Sequence, residues 1–378
     1  MKILIGADFV PTKSNFSQFE AGDVRELLGS KLCDEIESAD YRIFNLEIPL
    51  ADEKHPIHKC GPNLIAPTGC VAGYKAAGVD LLTLANNHIL DQDQYGLKST
   101  IQTLNQAGIA HTGVGNTPEE AAKPYAFTCN GKNIGVYACA EHEFSIVTER
   151  SAGANPIDLL ESPDHVAKLK EQCDYVIVLY HGGKEHYRYP SPNLQKVCRK
   201  LVEKGADLVV CQHSHCIGCE EKYQGGTIVY GQGNFLFDDD DSEFWKTSLL
   251  ISIGDAYEIE YIPLVKNGNT VRMAEEDTAN TILSDFKLRS SQIQEREFIE
   301  EEYAHFSHEM LNRYLMTFLR KGNGFAFRVA NKFTHGKWAK EFAKRLPKAY
   351  KLALINYIQC EAHRELLIMG LDESCGMR

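Results

Sequence analysis

The chain has 378 residues, 43% of them hydrophobic and 24% charged, with a formal net charge of −12 and a pI near 5.6. This is the composition of an ordinary folded globular protein, so dominant disorder is excluded, and so is general nucleic-acid binding, which needs a phosphate-neutralising excess of Lys and Arg. Twelve cysteines are spread along the chain, several (Cys139, Cys173, Cys211) in or beside apolar runs; with no long apolar segment and no leader pattern, they read as reduced, largely buried thiols of a cytoplasmic protein.

Residues 1 to about 265 alternate β-type and helix-type runs, as βα units do. The first strand, Lys2–Ala7, ends in Asp8, with Gly6 permitting close backbone approach; an acid after a strand serves either as a helix cap or in chemistry. Tyr41–Leu46 brings Asn45 and Glu47 to one face by the two-residue period, and Pro49 ends the run. An acid emerging there is costly to place without a partner. After a helix-period run over Leu64–Ala77, the strand Leu81–Ala85 leads into Asn86, Asn87 and His88, poor choices for packing; Asp91 is spaced to orient the His88 imidazole and fix its tautomer. A second helical run covers Gly96–Ala107.

Strand Asn133–Ala138 is followed by Glu141, His142 and Glu143, which fit a solvated loop or a pocket rim equally. A helix over Pro163–Gln172 precedes strand Tyr175–Tyr180, then His181, the turn Gly182-Gly183 and Glu185. A helix over Pro192–Lys204 and strand Asp207–Gln212 lead to His213 and His215, whose imidazoles share a side if the segment is extended. Cys216 and Cys219 follow, but with no second CxxC pair a closed zinc site would have to recruit those same two histidines. The Gly-rich pieces lack the phosphate-loop pattern and read as turns. Strand Thr227–Gly231 precedes Asn234, the acid run Asp238–Asp241 reads as a solvated loop, and Ser248–Ile253 with Glu258–Pro263 reads as a hairpin.

From about Asp285 the chain is rich in charge and helix formers. Glu297–Leu319 reads as a helix, Gly322 and Gly324 break it, and Ala349–Met369 has the spacing of a second amphipathic helix. This divides the chain into residues 1–280 and a helical, locally basic extension, 281–378. The interval Arg320 to Lys351 carries many Lys and Arg with Glu341 as its one acid. It fits the solvated face of an appendage or a peripheral contact with a membrane or polyanion. Composition is silent on oligomeric state.

Carboxylate, amide and imidazole groups recurring at strand ends are what a two-metal hydrolase needs. The ordered set Asp8, Asn45-Leu46-Glu47, Ala85-Asn86-Asn87-His88 with Asp91, His181-Gly182-Gly183 with Glu185, Gly205-Ala206-Asp207, His213-Ser214-His215 and Gly231-Gln232-Gly233-Asn234-Phe235 resembles the CapA-like poly-γ-glutamate capsule biosynthesis family, itself related to calcineurin-like metallophosphoesterases. The resemblance spans about residues 1–265. It implies an α/β fold, a four-layer αββα sandwich, to which the tail adds a C-terminal helical appendage.

It also implies one or two divalent ions, Mn, Fe, Zn or Mg, with Glu47 bridging, Asn87, His181 and His213 on one ion, and Asp8 and His215 on the other. His88, with Asp91, takes the place of the imidazole that steadies the transferred group or protonates its leaving oxygen. Asn45, Asn86, Glu185, Asn234, Glu141 and His142 become candidate substrate contacts. Two departures stand out: Val10 occupies a position where many metallophosphoesterases carry a histidine ligand, and the usual bridging Asp is Glu47. The expected activity is metal-dependent hydrolysis of a phosphoester by a metal-activated water. Its substrate is an anionic small molecule or polymer of capsule, polysaccharide or envelope synthesis. A non-catalytic accessory role in polymer assembly, or γ-glutamyl amide hydrolysis at the same site, are the other readings.

Overall fold

The computed structural model describes residues 1–238, 240–318, 333–334, 345–360, 362–364, 367–368 and 371. Contacts divide the chain into two compact units, Met1–Ile299 and Glu300–Arg378. In chain order the strands are β1 (Ile3–Val10), β2 (Tyr41–Asn45), β3 (Leu81–Thr83), β4 (Ala110–Thr112), β5 (Val114–Gly115), β6 (Tyr125–Cys129), β7 (Lys132–Ala140) and β8 (Gly153–Ala154). They continue as β9 (Tyr175–His181), β10 (Leu208–Gln212), β11 (Glu220–Tyr223), β12 (Gly226–Tyr230), β13 (Leu236–Phe237), β14 (Thr247–Ile253), β15 (Ile259–Asn267) and β16 (Thr270–Met273). The helices are α1 (Phe16–Ala21), α2 (Val24–Leu28), α3 (Ser30–Glu37), α4 (Val71–Ala76), α5 (Asp93–Ala107), α6 (Pro118–Ala121), α7 (Ser162–Lys170), α8 (Pro192–Glu203), α9 (Glu276–Gln292) and α10 (Arg296–Phe318).

An eight-stranded sheet runs β16-β15-β14-β1-β2-β3-β4, with β13 pairing the end of β1; a six-stranded sheet runs β11-β12-β10-β9-β7-β6. The parallel strands β1–β4 sit beside the antiparallel β14–β16, and the parallel β7, β9, β10 and β12 are flanked by antiparallel β6 and β11. Side-chain alternation sets the layers. Along β1, Ile3 and Ile5 join the core between the sheets while Leu4 and Phe9 face helices; along β9, Ile177 and Leu179 point inward and Val176, Val178 and Tyr180 outward. The first sheet's outer face packs on Phe19, Leu27, Leu32, Tyr74 and Leu97 of α1–α5, and the second's on Val166, Val197 and Leu201 of α7 and α8. The result is helices, sheet, sheet, helices: the expected four-layer arrangement. The hairpin is present as antiparallel β14 and β15.

Three differences from the sequence reading have local causes. Helix α4 begins only at Val71, after a 3₁₀ turn over Thr68–Cys70, because extended Pro67 (φ −56°, ψ 144°) ends the preceding loop and Leu64 uses both its N–H and C=O on loop contacts. Helices α1–α3 are short pieces separated by Gly22 in the left-handed region and by Gly29, which hides their periodicity in any long window. Edge strands β6, β11 and β16 are only partly apolar, since one side of each meets solvent.

The expected boundary at 280/281 falls inside α9, whose Ile282 and Phe286 are buried with the inter-sheet core. Helix α10 begins in the first unit and runs on into the second, and the second expected helix is present over Lys348–Gln359, ending before the expected Met369 at Cys360, whose backbone is extended. Most of the basic interval between Arg320 and Lys351 lies outside the described residues. Among the described residues no helix is long and apolar enough to cross a membrane.

Candidate metal centre

The carboxyl ends of parallel strands from both sheets meet at one place. Asp8 lies in β1, in register with Asn45 at the end of β2 after a shift of pairing beyond Ile5; His181 ends β9, in register with Ala140 of β7 and Gln212 of β10. Glu47, Asn86, Asn87 and His88 come from the turns after β2 and β3, and His213 and His215 from the turn after β10. That turn is not extended. His213 (φ 105°) and His215 (φ 53°) both take positive φ, so the two imidazoles converge through a strained turn rather than through strand pleating.

Around His181 Nε2 stand Asn87 Oδ1 at 3.0 Å, Glu47 Oε1 at 3.1 Å and His213 Nδ1 at 3.1 Å. Asp8 Oδ2 lies 3.6 Å from His215 Nδ1, and Asp8 Oδ1 lies 4.0 Å from His181 Nδ1. Ligand atoms of Glu47, His213 and His215 all fall within 4.8 Å of one another, and among the described residues this is the one group of three or more His, Cys, Asp or Glu side chains that does so. Cys216 and Cys219 are therefore outside it, buried as free thiols. Glu47 is fully buried, yet neither carboxylate oxygen has a well-aligned hydrogen-bond donor. A buried ion without partners costs on the order of several kcal/mol. Lone-pair atoms crowded at contact distance with too few protons between them fit a divalent cation.

The charges agree. Burial alone would raise the Glu47 carboxyl, but the imidazoles of His181, His215 and His88 hold it well below the usual range. Burial opposes protonation of His181, and the neighbouring Glu47 and Asp8 outweigh it, raising its pKa. His213 is pushed well down by burial and by His181. Burial would also lower His215, but its contact with Asp8 and the charges of Glu47 and Asp8 push it up to about 9.

The supporting residues are mostly amides. Asn45 is fully buried; it donates to Asp8 Oδ1 (2.6 Å), lies 3.3 Å from His181 Nδ1, and accepts from Thr83 and Asn86. Asn86 donates to the Leu46 carbonyl and accepts from His88 N–H. Both were expected to touch substrate; both instead stand behind the candidate ligands, held by protein partners. Asn234 Oδ1 lies 2.8 Å from His215 Nδ1, and its buried Nδ2 has no hydrogen-bond partner. Glu141 accepts from Gly183 N–H and its carboxyl is raised by burial, whereas His142 and Glu185 are exposed. Val10 is buried in the β1–β13 pairing and offers no ligand.

His88 Nδ1 is 2.6 Å from Asp91 Oδ2, and Asp91 is fully buried. Two contributors escape the sequence reading, and a third reads there only as a loop or rim group. Lys59 bonds Asp91 Oδ1; Glu143 accepts from Asn87 Nδ2 at 3.0 Å, which turns Asn87 Oδ1 toward His181; and Trp245, 4.6 Å from the His215 ring, donates to His186 Nε2, whose ring stacks on Phe244. Nothing in spacing or composition flagged Lys59 or Trp245. Glu143 reads with Glu141 and His142 as a loop or rim group, without its contact to Asn87.

The family described as bacterial capsule synthesis protein PGA_cap matches residues 8–239, which takes in every one of these groups except Trp245 and Phe244. The capsule biosynthesis protein CapA of Bacillus anthracis is 31% identical over 215 residues, covering 54% of this chain and 52% of that one. The PGA biosynthesis protein CapA of Bacillus subtilis (strain 168) is 26% identical over 206 residues, with 53% and 54% coverage. The chain thus spans about half the length of the curated relatives it matches. A solved phosphatase from Mycoplasma pneumoniae is similar at 14% identity and a TM-score of 0.43, over 71% of this chain and 94% of that one.

Proposed function

The chain belongs to the bacterial capsule synthesis protein PGA_cap family, and from that premise we propose that it is a metal-dependent hydrolase of a phosphoester or similar anionic bond, working in the synthesis of capsule or another envelope polymer. One observation carries the reading: both oxygens of the buried Glu47 lack aligned donors in the midst of His181, His213 and His215. Glu47, Asn87, His181 and His213 would hold one divalent cation, and Asp8 and His215, sharing Glu47, a second. A bound cation supplies a Lewis acid for the transferred group and makes water a stronger nucleophile near neutral pH.

The chain's own residues do the rest. The Asp91 contact commits His88 Nδ1, leaving Nε2 as the nitrogen able to pass a proton to the leaving oxygen. Asn234 Oδ1 commits His215 Nδ1 in the same way, and its partnerless Nδ2 is a donor ready for a substrate oxygen. Asn45 keeps Asp8 and His181 in fixed orientation.

A second reading is favoured by Val10, which leaves the Asp8 side with a poorer donor set: the chain binds an anionic polymer as an accessory of its assembly and cleaves nothing. Metal analysis of the purified protein, with turnover of 4-nitrophenyl phosphate and a γ-glutamyl amide, separates the two. The hydrolase reading expects metal-stimulated phosphate release, abolished in Glu47→Gln and His213→Ala with circular dichroism unchanged. Full turnover in those variants overturns it, and bound metal without turnover of either substrate favours the accessory role.

A further inference from the structure

We propose that Lys59 is a positioning residue that sets the orientation of His88 through Asp91, and that the loop of residues 51–66 exists in part to deliver it. The proposal rests on the hydrolase reading above.

Most of residues 52–63 are exposed, yet the Lys59 side chain is only 3% exposed and ends on the fully buried Asp91. Placing an ammonium there requires a partner, and the partner is a carboxylate already in use. Asp91 divides its oxygens. Oδ1 takes Lys59, and Oδ2 takes His88 Nδ1 at 2.6 Å and the Leu64 N–H at 2.6 Å. Donors on both oxygens stop the carboxylate turning about its terminal torsion, which is broad when free. The imidazole bonded to it is thereby fixed as well. Lys59 Nζ also lies 3.2 Å from His88 Nδ1; a carboxylate oxygen 2.6 Å from Nδ1 needs a proton between them, so Nδ1 and the ammonium meet as co-donors to Asp91.

The loop is also tied to the backbone of Asp91 and to the side chain of its neighbour Gln92. Ile57 N–H donates to the Asp91 carbonyl (3.3 Å), His55 N–H to Gln92 Oε1 (2.7 Å), and Gln92 Nε2 to the Leu64 carbonyl (2.9 Å). The loop therefore folds onto the segment that carries His88, and Lys59 is the tie whose charge reaches its general acid. In the hydrolysis step a P–O bond forms to water and the P–O bond to the leaving group breaks. A proton passes from Nε2 of the His88 imidazolium to the leaving oxygen, the water's proton goes to solvent, and His88 regains its proton from solvent. That transfer matters most when the leaving oxygen is strongly basic.

The test compares wild type, Lys59→Met and Lys59→Arg, metal-loaded and full length, on 4-nitrophenyl phosphate and on phenyl phosphate, alongside ¹⁵N-histidine spectra of each. Loss of a positioned general acid removes part of an effect that ranges over roughly 10²–10⁴-fold. Lys59→Met is expected to lower kcat on phenyl phosphate at least about tenfold more than on 4-nitrophenyl phosphate, with KM and metal content unchanged; Lys59→Arg restores most of it. The His88 Nδ1 signal should report a single hydrogen-bonded N–H in wild type and an exchanging mixture of environments in Lys59→Met. Equal losses on both substrates, or no loss, overturn the proposal. If wild type turns over neither substrate, the hydrolase reading has failed and the spectra decide alone: an unchanged His88 signal in Lys59→Met overturns the positioning role, and a changed one supports it. Should Lys59→Met not fold, Lys59→Gln, which still donates to Asp91 without charge, takes its place with intermediate effects expected.

Discussion

His215 is held protonated in the metal-free protein by Asp8 and Glu47, with a pKa near 9 against an ordinary 6.5. A raised folded value stabilises the fold fully below about pH 6.5, and that contribution is lost as pH rises through about 9. A cation must displace that proton, so divalent-metal affinity should increase from about pH 6 to 9, and binding near pH 7.5 should release protons. Calorimetric titration in two buffers of different ionisation enthalpy measures this; heats independent of buffer would contradict it. Glu143 offers a second test at the same scale. It is exposed, yet it turns the Asn87 oxygen inward. Glu143→Ala should weaken metal binding about tenfold, the lower end for loss of an orienting partner, while Glu143→Gln, whose amide oxygen still accepts, should bind nearly as wild type. Of these residues, Glu47, His181 and His213 were legible in the sequence because acids and imidazoles after apolar strands are costly unless used. Lys59 was not, because a lysine in a polar loop looks solvated until the fold buries it.

Between elements, the close pairing of β1 and β2 is what aligns Asp8 with Asn45. Gly6 makes that approach possible: a Cβ there would lie 2.3 Å from Phe44 Cδ1, and the Phe44 ring is wedged among Phe9 and Phe235. Gly6→Ala should destabilise by about 1–3 kcal/mol, the usual range for overpacking, seen as a lower urea midpoint at unchanged slope. Phe44→Leu in the same chain should recover part of the loss. The strongly apolar strands were legible with small errors at their ends, the short or half-polar β4–β6, β8, β11, β13 and β16 were not, and the turn after β10 was read as extended. Positive φ at His213 and His215 has no sequence signal of the kind glycine gives, and surrounding contacts impose it.

At the level of the molecule, the first unit has three main apolar cores of its own, one between the sheets and one under each helical layer. A chain ending at Ile299 should therefore stay soluble and melt cooperatively. One ending at 280 removes Ile282 and Phe286 from the inter-sheet core and should melt lower or aggregate. Scanning calorimetry of the two truncations decides, with equal melting as the contrary result. Burial also governs thiol chemistry. It pushes Cys70 up to about 12 and Cys216 to about 11, and raises Cys139 and Cys198 as well, while Cys60 is exposed. Of the described cysteines, Cys60 should react first with a thiol reagent near pH 8, and the buried set only on unfolding; early labelling of Cys216 would contradict the packing described.

By itself the sequence marked the apolar strands β1–β3, β7, β9, β10, β12, β14 and β15 but not the short or half-polar β4–β6, β8, β11, β13 and β16, and it marked most donors of the candidate centre, because polar groups at the ends of apolar runs are expensive without a task. Only the tertiary structure decided that β1–β3 and β7, β9 and β10 lie in different sheets whose carboxyl ends face one spot, that Asn45 and Asn86 stand behind the candidate ligands, and that Lys59 reaches Asp91. Pairing between distant strands and burial of a loop side chain are set by the whole packed core, and no local window of residues carries that information.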